Sequence, residues 1–140
     1  MFGLKGDVTN NCFFLDANTV IYPCGHNVVI FNKEDKTQRY IPGVEGSEGI
    51  TAMALSPSKR YLAVCEKAAK AVCSIYNLAK FIEISKERKM QVFDQLKSKK
   101  WIVSSADYDA SKFVSADFSG LNEKLLVTLT SEPDYKIIVW

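Results

Sequence analysis

Short runs of β-branched and aromatic residues alternate with turn-forming clusters along the first part of the chain. The runs occupy residues 11–15, 19–23, 26–32 and 37–41. Runs of this composition, separated by Asn, Asp, Gly or Lys, are typical of β-strands joined by turns. A stretch rich in Pro and Gly, residues 42–49, then interrupts the pattern. The sequence therefore predicts a four-stranded meander followed by a unit boundary.

The stretch ITAMALSPSKRYLAV, residues 50–64, shows how the next unit begins. Its two apolar runs flank Ser56 and Pro57, and because proline cannot donate to a sheet ladder, two strands joined by a reversal are predicted. The same arrangement recurs 63 positions later in FVSADFSGLNEKLLV, residues 113–127. An apolar–aromatic pair ends strand-like runs at Phe31, Tyr76 and Trp140. The chain therefore consists of repeated β-units.

The period and the turn chemistry together resemble the WD-repeat β-propeller family. The strand endings lie 45 and 64 residues apart, and a unit of about 45 residues with four strands is the size of one WD-repeat blade. The resemblance implies an all-β fold: a partial WD-repeat β-propeller of about three blades. The blades are expected at residues 11–43, 50–99 and 113–140.

The third of these blades is expected to lack its last strand. Closed propellers have about 4–8 blades, so the ring is not expected to close within this chain. Further repeats or a partner chain are expected to complete it, because an end blade otherwise exposes an apolar face and a free strand edge.

Individual residues match positions of the family's signature. The matches are Ser56-Pro57 and Ser119-Gly120 at the turn between the first two strands, Trp140 at the tryptophan of the Trp-Asp pair, and Asp134 near the aspartate before the third strand. The Gly-His dipeptide of the family is missing ahead of residues 50 and 113, and Gly25-His26 stands ahead of a third strand instead. The His–Asp hydrogen-bond network is therefore not expected, and packing alone is expected to hold the blades.

Two strand-like segments, YLAVC (residues 61–65) and LLVTL (residues 125–129), are nearly continuous apolar runs. A sheet with one wet face alternates apolar and polar residues, so both faces of these strands are expected to be covered. Stacked propeller blades meet that requirement. A two-sheet sandwich, the alternative all-β architecture, buries one face of each sheet.

A more specific resemblance covers the first sixty or so residues. The segments that carry it are FGL at 2–4, NN at 10–11, IYPCGHNVVIFN at 21–32, YIPG at 40–43 and SPSKRYLAV at 56–64. In this order they resemble the amino-terminal part of the cilia- and flagella-associated WD-repeat protein 57 family. The resemblance implies a non-catalytic scaffold of the ciliary axoneme and cytoskeleton that helps to place inner-arm dyneins on doublet microtubules. Its implied partners are other axonemal proteins, including dynein subunits or tubulin.

A basic segment is the candidate partner-binding region. Residues 80–100 contain seven Lys or Arg against three Asp or Glu. Lys97, Lys99 and Lys100, beside Trp101, could attract acidic partners such as tubulin tails. The alternative is a solvated connection in which residues 89–93 form the outer strand of blade two. Nucleic acid is not an expected partner, because the net charge of the whole chain is only +2.

Catalytic and metal-binding patterns are weak. His26 is the single histidine, so no two-histidine metal site can form, and no cofactor is expected. The alternative function is a small cysteine-dependent or metal-binding enzyme domain, with a thiol nucleophile and His26 as its base. No apolar run approaches the length of a membrane span and no secretory signal is visible, so a cytoplasmic setting is expected. Cys12, Cys24, Cys65 and Cys73 are then expected to be thiols.

Overall fold

A computed structural model describes residues 3–79, 100–103 and 106–140, and eleven β-strands build this part of the chain. The strands are β1 (Phe13–Phe14), β2 (Thr19–Cys24), β3 (Asn27–Asn32), β4 (Thr37–Pro42), β5 (Gly49–Leu55), β6 (Tyr61–Lys67), β7 (Val72–Asn77), β8 (Lys100–Val103), β9 (Phe113–Phe118), β10 (Leu126–Thr130) and β11 (Ile137–Val139). No helix in the described ranges is both long and apolar enough to cross a membrane.

The strands form three antiparallel sheets, each made of neighbours in sequence. Sheet 1 has the order β1-β2-β3-β4, sheet 2 the order β5-β6-β7-β8 and sheet 3 the order β9-β10-β11. The predicted reversal after Ile50 is present, since Leu55 of β5 pairs with Leu62 of β6 across the Ser-Pro turn. The all-β prediction and the open, three-unit arrangement are confirmed, because no strand described here joins sheet 3 to sheet 1.

The outer strand of sheet 2 lies further along the chain than expected. Blade two was expected over residues 50–99, but the strand that pairs with β7 is β8, with Ile75 opposite Trp101 and Tyr76 opposite Lys100. Residues 89–93, the alternative outer strand, lie outside the described residues. The pattern was misread here because both segments are short apolar runs within a basic region, and periodicity alone cannot rank two such runs.

Sheets 1 and 2 pack face to face through an aliphatic core. Sheet 1 contributes Ile21, Val28, Ile30 and Ile41, and sheet 2 contributes Ile50, Met53, Leu62, Val64 and Tyr76. All of these side chains are at most 6% exposed. Because successive side chains of a strand point to opposite faces, the residues between them on β5 and β6 face the other way.

Those intervening residues of sheet 2 pack against sheet 3. Ala52, Ala54, Ala63, Cys65 and Cys73 meet Phe113, Ala116, Phe118 and Leu126, with Tyr108 at the edge of the same core. All five interior residues of β6, from Leu62 to Glu66, are consequently buried. The expectation that YLAVC is covered on both faces is therefore confirmed, and the three stacked sheets replace the sandwich alternative.

The matching expectation for LLVTL is wrong. The burial of β10 alternates: Leu126, Thr128 and Thr130 are buried against sheet 2, whereas Val127 is 37% exposed on the other face. The reason lies in tertiary position, because no described element covers the second face of sheet 3. An apolar run indicates that a strand can be buried on both faces. It does not show whether a neighbouring sheet is present to cover each face.

Carboxylates hold the connections between sheets, so the expectation that packing alone holds them is also wrong. Asp134, in the β10–β11 turn, accepts the backbone N–H groups of Asp109 at 2.5 Å and Ala110 at 2.9 Å. The fully buried Glu66 accepts the N–H of Val44 at 3.1 Å in the β4–β5 connection. Each carboxylate accepts hydrogen bonds from backbone N–H groups in the connection that leads into its own sheet. Backbone donors that are shielded from water need such acceptors.

A second polar contact ties β10 to the end of the chain. The indole Nε1 of Trp140 donates to Thr128 Oγ1 at 2.9 Å, and Thr128 is buried between sheets 2 and 3. The residue matched to the tryptophan of the WD-repeat signature therefore makes a side-chain hydrogen bond across its own sheet.

Candidate functional site

The amino-terminal segment before β1 runs along the free inner edge of sheet 2. The N–H of Thr9 donates to Thr51 O at 3.1 Å, and the N–H of Met53 donates to Thr9 O at 3.0 Å, which makes a parallel bridge between Thr9 and Ala52. Lys5 is fixed at the other end of the segment by its N–H bond to Pro23 O at 3.1 Å. The segment thus occupies backbone groups that β5 would otherwise present to solvent.

Two threonine hydroxyls connect this edge to sheet 3. Thr9 Oγ1 donates to Val114 O at 3.0 Å, and Thr51 Oγ1 donates to Phe113 O at 2.7 Å. The carbonyls belong to β9, the first strand of sheet 3, so the hydroxyls bridge two sheets at their inner edges. Hydrogen bonds of this kind fix the relative position of the sheets more sharply than apolar contact does, because they are directional.

A cleft of about 350 Å³ opens beside these contacts, which we call the axial cleft. Its lining comes from the amino-terminal segment, the start of β5, the end of β6 and the start of β9: Lys5, Asp7, Thr9, Glu48, Gly49, Ile50, Thr51, Lys67, Lys112, Phe113 and Val114. It lies at the same end of the stack as the connections that enter sheets 2 and 3.

Fixed contacts define the charge distribution of the axial cleft. Lys67 and Glu48 form an ion pair of 2.6 Å, and Lys5 Nζ donates to Ile50 O at 3.0 Å. Lys112 and Asp7 are exposed at its rim. With three lysines and two acids, the cleft carries one excess positive charge.

This lining suits polar side chains of another protein better than a small organic ligand. Ligand pockets are mostly apolar with a few convergent polar groups, whereas most of the residues that line the axial cleft are charged or carry hydroxyls. Alternating charges that are exposed at a rim are the pattern by which proteins select and orient charged partners.

The basic residues predicted to bind partners are only partly placed by the structure. Lys97 and Lys99 lie outside the described residues, and Lys100 and Trp101 lie in β8, the outer strand of sheet 2. The predicted patch at these four residues therefore stays a prediction.

Two of the four cysteines lie in the core, where they are poor candidates for a thiol nucleophile. Cys65 and Cys73 face each other across β6 and β7, and both are fully buried. The hydrogen bond between the two thiols, together with burial, raises the pKa of Cys65 well above its ordinary value. A raised thiol pKa opposes the thiolate that a nucleophile needs.

The proposed base, His26, lies on a different sheet from these two thiols. His26 is exposed in the turn between β2 and β3, on sheet 1, whereas the thiols of Cys65 and Cys73 lie between sheets 2 and 3. All four cysteines are free thiols, as expected. Among the described residues, no group of three or more His, Cys, Asp or Glu side chains is arranged to hold a metal ion.

Comparison with known proteins shows that the chain is similar in sequence to cilia- and flagella-associated proteins. The chain is 36% identical over 141 aligned residues to cilia- and flagella-associated protein 57 of Mus musculus, covering 100% of this chain and 10% of that protein. It is 31% identical to cilia- and flagella-associated protein 57 A of Tetrahymena thermophila, covering 99% of this chain and 13% of the relative. Cilia- and flagella-associated protein 44 of Mus musculus is 30% identical over 99% of the chain and 6% of its own length. No protein-family model matches.

Solved structures of WD40 propellers share the fold. The C-terminal WD40 domain of Sif2 matches with a TM-score of 0.65 at 14% identity, covering 93% of this chain and 36% of that domain's chain. The Cps50 (Swd1) β-propeller domain of Myceliophteria thermophila matches with a TM-score of 0.58 at 12% identity, over 94% and 38% of the two chains. The three sheets are therefore an open part of a WD40 β-propeller, similar in sequence to cilia- and flagella-associated protein 57 over the whole chain, which spans only about a tenth of the length of those curated relatives.

The axial cleft was missed by sequence reasoning. Its residues come from four separate segments, and each of its polar residues taken alone is an ordinary Lys, Asp, Glu or Thr. Lys5, Lys67 and Lys112 are more than forty positions apart from one another, so no local motif could have joined them.

Proposed function

We propose that this chain is a non-catalytic protein-interaction scaffold of the ciliary or flagellar axoneme. The observation that carries the proposal is the similarity to cilia- and flagella-associated protein 57 over the full length of the chain. The open propeller fold supports it, since propeller blades commonly present loops and edges to other proteins. The buried, hydrogen-bonded thiols and the mixed-charge cleft also favour binding over catalysis.

Two surfaces are the proposed contacts with axonemal partners. The first is the basic patch at Lys97, Lys99, Lys100 and Trp101, which would attract the acidic tails of tubulin or an acidic surface of a dynein subunit. The second is the axial cleft, where Lys112 at the rim and the Lys67–Glu48 pair would engage a charged segment of the partner. The finer role that we propose, on the resemblance to the cilia- and flagella-associated protein 57 family, is to help place inner-arm dyneins on doublet microtubules.

Co-sedimentation with demembranated axonemes tests the basic patch. The 140-residue chain should pellet with axonemes, and charge reversal of Lys97, Lys99 and Lys100 to Glu should weaken binding about tenfold or more. Reversal of three exposed lysines elsewhere, Lys33 and Lys36 in the β3–β4 turn and Lys124 in the β9–β10 connection, is the matched control and should leave binding unchanged. Equal loss in both variants would mean that total charge matters and that the patch does not.

A second pair of variants tests the axial cleft. Lys112→Glu should lower axoneme binding, whereas Lys124→Glu should not, because Lys124 is exposed in the β9–β10 connection away from the cleft. Tagged chain expressed in ciliated cells should concentrate along the axoneme, and its removal should deplete inner-arm dynein from the doublets. A chain that stays diffuse in the cell body and does not pellet with axonemes would contradict the proposed function.

A further inference from the structure

Two buried thiols lie opposite each other in the middle of sheet 2. Cys65 of β6 pairs directly with Cys73 of β7 in the antiparallel register, and the two thiols are close enough to share a hydrogen bond. Both side chains belong to the core between sheets 2 and 3, and neither is exposed to solvent. The pair therefore lies inside the stack and not on either of its outer faces.

The register brings the two sulfur atoms within reach of a disulfide bond. Directly opposite residues of an antiparallel pair have Cβ atoms about 4.5–5.5 Å apart, and a disulfide needs about 3.5–4.5 Å. Closing the bond therefore requires the two strands to approach each other by about 1 Å. The bond adds no volume to the core, because the sulfur atoms move towards each other and only two hydrogen atoms are lost.

The surroundings of the pair favour a disulfide over the further oxidation products of cysteine. The core cluster that holds the two thiols consists of small aliphatic and aromatic side chains, among them Ala52, Ala63 and Phe113. Sulfinic and sulfonic acids are charged at neutral pH, and a charge buried without a partner is costly. A disulfide carries no charge and has no proton to donate, so it suits this apolar core.

The two strands also carry the turn that joins sheet 2 to the connection into sheet 3. The N–H groups of Ala68 and Ala71 donate to Ser111 O at 3.0 Å and to Ala110 O at 2.9 Å. The hydroxyl of Tyr108 donates to Ala71 O at 2.8 Å. A covalent bond between β6 and β7 would hold both ends of this turn, and it would thereby stabilise the junction of the two sheets.

We propose that Cys65 and Cys73 are a reversible redox pair, in which a peroxide closes a disulfide between β6 and β7. The first thiol, once deprotonated, attacks one peroxide oxygen and becomes a sulfenic acid, and the other oxygen leaves as water with the released proton. The second sulfur then attacks the sulfenic sulfur, the S–S bond forms, and the hydroxyl leaves as water with the proton of the second thiol. Two electrons pass from the sulfurs to the peroxide, and a small thiol reverses the reaction by exchange.

Burial makes the pair slow to react and specific in its product. The peroxide reaches the sulfurs only when the β6–β7 hairpin opens locally, so oxidation should be about tenfold or more slower than that of the exposed Cys12. Once one sulfur is oxidised, the other is held beside it by the register. The disulfide should therefore form before a second peroxide molecule reacts with the same sulfur.

Peptide mapping of the oxidised chain tests the proposal. The 140-residue chain is treated with hydrogen peroxide, unfolded in the presence of an alkylating reagent and digested with trypsin. Cleavage after Lys67 and Lys70 separates the two cysteines, so the disulfide joins the peptides 61–67 and 71–80. This linkage should form and should disappear after treatment with a small thiol. A chain with Cys12→Ser and Cys24→Ser keeps only the buried pair and should give the same linkage.

Stability measurements connect the bond to the junction of the sheets. The oxidised Cys12→Ser, Cys24→Ser chain should melt about 5 °C or more above its reduced form, because the bond restricts the unfolded chain. Amide hydrogen exchange at Ala68 and Ala71 should slow about tenfold or more. The control adds Cys73→Ala to this chain, and once circular dichroism confirms its strands, peroxide should give it neither the linkage nor the higher midpoint.

Three results would overturn the proposal. The first is that Cys65 and Cys73 both remain free for alkylation after peroxide treatment. The second is that either of them links to Cys12 or Cys24 instead of to the other. The third is that the thermal midpoint falls when the bond forms, which would mean that the disulfide strains the two strands and does not hold them together.

Discussion

A methyl group added at Gly43 has no room at the entry to sheet 2. A Cβ built there would lie 2.7 Å from the backbone oxygen of His26 and 2.7 Å from Glu66 Oε1. The carboxylate is the end of a side chain, but the carbonyl belongs to the turn between β2 and β3 and cannot move without disturbing sheet 1. Overpacking of this kind costs about 1–3 kcal/mol, so Gly43→Ala should lower the free energy of unfolding by that amount.

Gly120→Ala provides the matched control. A Cβ at Gly120 meets nothing within 4 Å, and its backbone is outside the left-handed region. The control should be neutral or should stabilise by up to about 1 kcal/mol, because alanine restricts the unfolded chain. Removing the Glu66 carboxylate by Glu66→Ala should not rescue Gly43→Ala, since the clash with the His26 carbonyl persists.

Urea unfolding followed by circular dichroism, at one fixed low protein concentration, measures the difference. The midpoint of Gly43→Ala should fall by about 0.5–2 M relative to the unsubstituted chain, given slopes of about 1–3 kcal/mol per M for small domains. Equal midpoints for Gly43→Ala and Gly120→Ala would refute the reasoning that the two sheets meet closely at this glycine.

Three further predictions concern polar groups inside the stack. Asp134→Ala should destabilise the chain by about 1–3 kcal/mol, seen as a lower thermal midpoint, because two linker amides, one of them that of Ala110, lose their acceptor. Thr128→Val should cost about 1–2 kcal/mol and should shift the indole N–H resonance of Trp140 in NMR spectra, since the 2.9 Å hydrogen bond is lost. Burial raises the pKa of Tyr76 from 10.0 to about 12, so the unfolded state loses this proton first and stability should fall between about pH 10 and 12, by about 2–3 kcal/mol. Tyr76→Phe should lose less stability over that range, and equal pH profiles would contradict the assignment.

Much of the local structure was readable from the sequence. The meander of sheet 1 and the Ser-Pro reversal of sheet 2 were predicted close to their observed bounds, because turn residues and β-branched runs act locally. The repeat that places Ile50 on Phe113 also located the first strand of sheet 3. In contrast, the outer strand of sheet 2 was misplaced, because residues 89–93 and Lys100–Val103 carry the same weak signal.

The carboxylate contacts and the axial cleft could not be predicted in the same way. Asp134 was matched to the family's aspartate, but its bonds to linker amides 24 and 25 residues away depend on how the connection folds back. In the sequence, Glu66 is a polar residue at the end of an apolar strand. Its contact with the N–H of Val44 depends on the path of the β4–β5 connection.

The sequence by itself determined the strands, their repeat and the family of folds, because alternation, turns and strand endings are properties of neighbouring residues. Only the tertiary structure decided which faces are covered. YLAVC and LLVTL are equally apolar, yet one lies between two sheets and the other has one side open. Burial depends on which other surfaces are present in space, and a strand's own residues do not contain that information.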